Sequence, residues 1–112
     1  MITLDQLKDM FASMKEEAPF DADGDLLWGY FFTDADKKKL RPVADELASL
    51  GFREVALYRT DDRKTYFLHV ERVEKHTPES LHERNAEFYE IAERFGIESY
   101  DGMDVGPVEE SH

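Results

Sequence analysis

The chain has no cysteine, and its 26 Asp and Glu outnumber its 14 Lys and Arg. Lack of thiols excludes disulfides, thiolate-held zinc, iron–sulfur clusters and cysteine catalysis, and makes a reducing compartment the expectation. Long apolar runs are also missing. No stretch approaches the roughly 20 residues that a spanning helix needs, so a membrane is not expected as a partner. Met1-Ile2-Thr3-Leu4-Asp5 has neither the basic start nor the apolar run of an export signal. A cytoplasmic location is the resulting expectation. The shortage of basic side chains argues against direct contact with nucleic acid, whose phosphates demand a basic face.

Core-forming residues are plentiful: eight Phe, five Tyr and one Trp in 112 residues. That length suits one domain spanning 1–112, burying roughly 65% of its unfolded surface. Its net charge of −12 is unevenly spread. Residues 1–25 hold seven acids and two bases, residues 26–75 nine and ten, and residues 76–112 ten and two. The acidic ends suit a basic protein surface as partner, through charge steering. Solubility alone is the plainer reading of the same excess.

Thr3 and Gln6 form a capping pair, and Leu4, Leu7, Met10, Phe11 and Met14 recur at helical spacing, which predicts a helix over 3–16 ending before Pro19. Asp21-Ala22-Asp23-Gly24-Asp25 resembles a calcium loop only superficially. Glycine falls at the fourth position instead of the sixth, and Phe32 stands where a bidentate Glu belongs, so the stretch reads as a polar turn. Leu26 to Thr33 is apolar at nearly every position, as in a central strand, with Gly29 marking a bulge or close approach.

Thr33 or Asp34 is expected to cap the next helix, whose buried face is Leu40, Val43, Ala44, Leu47 and Leu50, with Gly51 as its left-handed stop. Pro42 should kink this helix or delay its start to about Arg41. The cluster Lys37, Lys38, Lys39 and Arg41 opposes the helix dipole and reads as solvated or paired with acids. Phe52 to Arg59 and Thr65 to Val73 pair as a hairpin. Alternation puts Val55 and Leu57 on one face of the first strand and Phe52, Ala56 and Tyr58 on the other. In the second, Phe67 and His69 oppose Tyr66, Leu68 and Val70.

Thr77-Pro78 opens the last helix, Leu81, Phe88, Ile91, Ala92 and Phe95 form its buried face, and Gly96 ends it. Glu79, Glu83, Glu87 and Glu90 then share one exposed stripe. Ile97 to Met103 is the closing strand, in which Tyr100 anchors the edge and Asp101-Gly102 makes the terminating turn. The order of elements predicts an α+β, ferredoxin-like βαββαβ sandwich over about 25–104, with two helices on one face of a four-stranded antiparallel sheet. An extra N-terminal helix is expected to cover the open sheet face, and residues 105–112 to form a short acidic tail.

No catalytic, cofactor or metal constellation is legible. The histidines His69, His76, His82 and His112 lack ligand spacing, with His69 read as a half-buried packing residue, and no serine has a nucleophile-elbow context. No cofactor is expected. Leu47-Ala48-Ser49-Leu50-Gly51-Phe52 and the block from Asn85 to Met103, including Tyr100-Asp101-Gly102-Met103, nevertheless resemble the family known as regulator of ribonuclease E activity B (RraB-like). Met103 stands where the family's closing signature has tryptophan. The resemblance implies the same sandwich fold and a non-enzymatic acidic regulator that binds the endoribonuclease and reduces its cleavage of RNA.

The favoured reading is therefore a protein-binding regulator whose partner is a ribonuclease with a basic segment. Glu79, Glu83, Glu87, Glu90, Asp101 and Asp104 are the expected contact surface, on a monomer or homodimer. One alternative is a small hydrolase or ligand-binding enzyme using an open sheet face around Trp28, Tyr30, Phe67 and His69. Another is a dimerising interaction module.

Overall fold

A computed structural model describes residues 2–18 and 21–108. Three helices and four strands follow in the order α1 (Leu4–Glu17), β1 (Leu26–Asp34), α2 (Lys37–Ser49), β2 (Arg53–Arg59), β3 (Tyr66–Glu74), α3 (Pro78–Phe95) and β4 (Ser99–Pro107). All neighbouring strands are antiparallel, in the order β2-β3-β1-β4, so β1 and β3 are central. This is the predicted ferredoxin-like sandwich with an N-terminal helix added.

Local chemistry sets most boundaries. Thr3 and Gln6 close their capping box on α1, as Thr77 and Ser80 do on α3. Gly51, at φ +95°, ends α2 in a Schellman turn: Phe52 N–H donates to Leu47 C=O at 3.0 Å, and Gly51 N–H to Ala48 C=O at 3.1 Å. Gly96, at φ +68°, closes α3. The N-cap of α2 is Asp36 rather than Thr33 or Asp34, with its carboxylate accepting from Lys38 N–H at 2.9 Å. Asp34 is buried and joins two junctions, accepting from Asp36 N–H and Glu98 N–H. The helix runs from Lys37 without interruption past Pro42, which lies exposed, where water can serve the carbonyl that proline leaves unpaired. Its basic cluster is partly paired, since Arg41 meets Glu54 and Asp45.

The core lies between the sheet and the helices. Trp28, Tyr30 and Phe32, three alternate residues of β1, are fully buried on that face. Phe88 of α3 sits among them, meeting Tyr30, Phe32, Phe52 and Tyr100 at ring separations of 4.7 to 5.4 Å, all edge-on. Each such pair contributes about 0.5–1.5 kcal/mol beyond the burial itself.

Two bulges alter the predicted faces. The β2–β3 register shifts between Glu54 and Ala56, so Val55 is an extra residue and strand alternation is broken there. Phe52 consequently faces the core, edge-on to Tyr30 at 5.8 Å, and does not share a face with Ala56 and Tyr58. The β1–β4 register shifts between Phe31 and Phe32, which leaves Asp101 unpaired beside Gly102 at φ +129°. Asp101-Gly102 is thus a bulge near the start of β4 and not its end. The strand continues to Pro107, which takes residues 105–107 out of the predicted tail; residues 109–112 lie outside the described residues.

The N-terminal helix does not cover the open sheet face. It packs beside α3 on the helical side, where Phe11 stacks on Trp28 at 6.0 Å and Ile2 N–H donates to the Tyr89 hydroxyl at 3.1 Å. An amphipathic stripe specifies that a helix needs an apolar neighbour, and the space beside α3 supplies one.

Candidate functional site

Three features of the folded chain bear on function. The first is the outer face of α3. Residues three or four apart on a helix are surface neighbours, and Glu79, Glu83, Glu87 and Glu90 are all exposed in one row there. Glu87 is the member with a cation at hand, Arg84 at 3.1 Å.

The second is the sheet face opposite the helices. Strand alternation points Leu27, Phe31 and Thr33 of β1 this way, beside Phe67, His69, Glu71 and Val73 of β3. Phe31 stacks on His69 with ring centroids 4.4 Å apart, and Tyr58 of β2 stacks on Phe67 at 5.6 Å. His69 is half-buried in this packing. Tyr58 and Val73 remain 44% and 49% exposed, so these apolar side chains lie under solvent rather than under another layer. Gly29 is a close-approach point and not a bulge. A Cβ added there would strike the Asp104 carboxylate and come within 2.8 Å of His69 Nε2. One hollow beside Gly29 is lined by His69, Glu71 and Asp104; another, across Phe31, is lined by Asp62, Phe67, Glu98 and Asp101.

The six residues expected to form one contact surface are therefore divided. The four glutamates lie on the helical side, while Asp101 and Asp104 border the open sheet face. The enzyme-like grouping separates as well. Trp28 and Tyr30 are in the core, and Phe67 and His69 are on the far side of the sheet, because odd and even positions of a strand point oppositely. Trp28 and Tyr30 therefore do not line a common pocket with Phe67 and His69.

The third feature, unseen in the sequence, is a buried polar cluster where β3 passes into α3. Glu74 accepts from the Tyr30 hydroxyl at 2.5 Å and from Arg84 at 2.5 Å, and lies 3.1 Å from His76 Nε2. His76 Nδ1 in turn meets Ser80 Oγ at 2.9 Å. Burial pushes the Glu74 carboxyl up, but hydrogen bonds from His76 and Tyr30 and the Arg84 charge outweigh it and hold the group at about 2. Burial and then Glu74 push the Tyr30 hydroxyl well above its ordinary value. A second buried polar pair lies beside it: Tyr100 donates to Asn85 Oδ1 at 2.6 Å, and Met103 sulfur is 3.7 Å from Asn85 Nδ2. Asn85, 1% exposed, is part of the buried face of α3. Its i, i+3 spacing to Phe88 was the available signal. Nothing in spacing could have joined Tyr30, Glu74, His76 and Arg84, which come from β1, β3, the loop after it and α3.

Among the described residues no three His, Asp or Glu side chains gather as a metal site would require, and no helix is long and apolar enough to cross a membrane. Buried ionisable groups are engaged inside the protein, Glu74 with Tyr30, His76 and Arg84, and Asp34 with two backbone N–H groups, while carboxylates face outward on two surfaces. Fold and surfaces together define a class: small α+β proteins with a helix-covered antiparallel sheet and carboxylates on two outer surfaces. A family model described as Regulator of ribonuclease activity B matches residues 4–105, from α1 into β4. The chain belongs to that family, whose members are non-catalytic, protein-binding regulators of ribonuclease. No curated protein matches the chain.

Proposed function

We propose that this chain lowers the activity of a cytoplasmic ribonuclease by binding a basic segment of it through acidic surfaces, in competition with RNA. The observation that supports this most is the exposed row Glu79, Glu83, Glu87 and Glu90 on α3, with Asp101 and Asp104 as further carboxylates on the sheet side. Like charges in a row mildly destabilise a helix; a cationic partner relieves that repulsion and gains steered association. The same charges repel RNA phosphates, so the regulator occupies the enzyme's basic segment without taking up its substrate. In this reading the protein works without a cofactor and as one domain.

The test is ribonuclease cleavage of a labelled RNA with the regulator added, over a salt series. Exposed charges are screened beyond roughly 10 Å at 0.1 M salt. Inhibition should therefore fall steeply between about 50 and 300 mM salt, with RNA held below saturation. Inhibition that ignores salt overturns the charge mechanism.

A further inference from the structure

We infer that the open sheet face is the docking site for an extended, arginine-bearing segment of the protein partner, an inference that rests on the charge reading above but names a different surface from the α3 row. Two cross-strand stacks, Phe31 on His69 and Tyr58 on Phe67, make an aromatic platform across three strands. Acidic hollows lie at two places along it, one carrying Asp104 and the other Asp101. Within the described residues, Arg53 on this face is held by Glu71, whereas Asp101 and Asp104 are not met by a cation.

Guanidinium groups match both parts of this surface. They lie flat on aromatic faces and their fork of N–H donors meets carboxylates in pairs, whereas an ammonium offers both only a compact, more strongly hydrated point charge. Spacing fits as well. Asp101 and Asp104 are three residues apart on β4, roughly 10 Å along a strand. Two arginines three residues apart in an extended, polyproline-II-like segment, which has three residues per turn and rises about 9 Å over them, would point the same way, reach both hollows and leave the intervening residues over Phe31. Charge disfavours the other occupants. A second copy stacked face to face would add its own Asp101 and Asp104 to one interface, and RNA would bring phosphates to the same carboxylates.

The test uses the full chain and a short fluorescent peptide with arginine at every third residue, beside the same peptide with lysine. Fluorescence anisotropy should show the arginine peptide binding roughly tenfold tighter than the lysine peptide at equal charge. Y58S, a change at an exposed position, should remove most of that preference while thermal melting stays close to the parent. A combined Y58S and F67S variant should remove the rest. Replacing Glu79, Glu83, Glu87 and Glu90 by Gln should leave the arginine preference intact. Equal binding of both peptides that is lost with the four Gln changes overturns this inference and leaves the charge reading standing. Binding of neither peptide overturns both. Concentration-dependent dimerisation abolished by Y58S, or binding of single-stranded RNA to the same face, also overturns it.

Discussion

The two faces of this sheet are made by the same four strands, yet they are built on opposite terms. Toward the helices, Tyr30 and Phe32 are sealed against Phe88 and Trp28 against Phe11, and buried polar groups there are paired, Glu74 with Tyr30, His76 and Arg84, and Asn85 with Tyr100. Away from the helices, Phe31, Tyr58, Phe67 and Val73 carry comparable apolar bulk with no layer of the described residues above them. The difference shows where the fold keeps its stability, and in the reading proposed above the other side is the surface it offers a partner. Residues of one face should then matter to folding, and residues of the other to binding.

The strongest challenge to that division is F88A. Removing the ring that four aromatics touch should cost about 3–5 kcal/mol in urea denaturation. A cost near that of a surface change would mean that the core is organised elsewhere.

Next in size is Glu74→Ala, which leaves Tyr30 and Arg84 without their shared acceptor. A loss of about 2–3 kcal/mol is expected at neutral pH, below the full figure for a buried pair because solvent reaches part of the cluster. Its pH dependence has a definite sign. The folded carboxyl titrates at about 2, below its unfolded value of 4.5. The contribution of Glu74 is therefore complete above about pH 4.5 and is lost as pH falls toward 2. The stability gap between parent and variant should narrow over that window and stay constant above it. A gap that widens on acidification would overturn the assignment.

The smallest effect should come from the open face. Y58S forfeits one cross-strand stack, so about 1 kcal/mol or less should be lost in the same denaturation experiment. If it rivals F88A, the face is structural and the contrast between the two sides collapses.

Much of this architecture was legible because its signals are local. Thr77-Pro78 announced α3, Gly51 and Gly96 announced two helix ends, and alternation in β3 assigned Phe67 and His69 correctly. Expectations failed where geometry depends on a residue that interrupts a period. Val55 is an ordinary strand residue in composition, but as a bulge it carries Phe52 to the core. Asp101 does the same at β4, where a turn had been expected. The row on α3 could be read from spacing alone, whereas the sidedness of Asp101 and Asp104 needed the sheet register. The position of α1 was not legible at all: its stripe calls for an apolar neighbour without saying which. The Glu74 cluster was invisible because its members are brought together only when β1, β3 and α3 pack.

The placement of α1 also gives the protein an optical property. Its single tryptophan, Trp28, is fully buried with Phe11 of α1 on one side and His76 edge-on at 5.3 Å. Emission from this one indole therefore reports on the seam between the added helix and the sandwich. A red shift without loss of sheet signal in circular dichroism would register α1 lifting away, and with no second tryptophan to dilute it, the helix carries its own gauge.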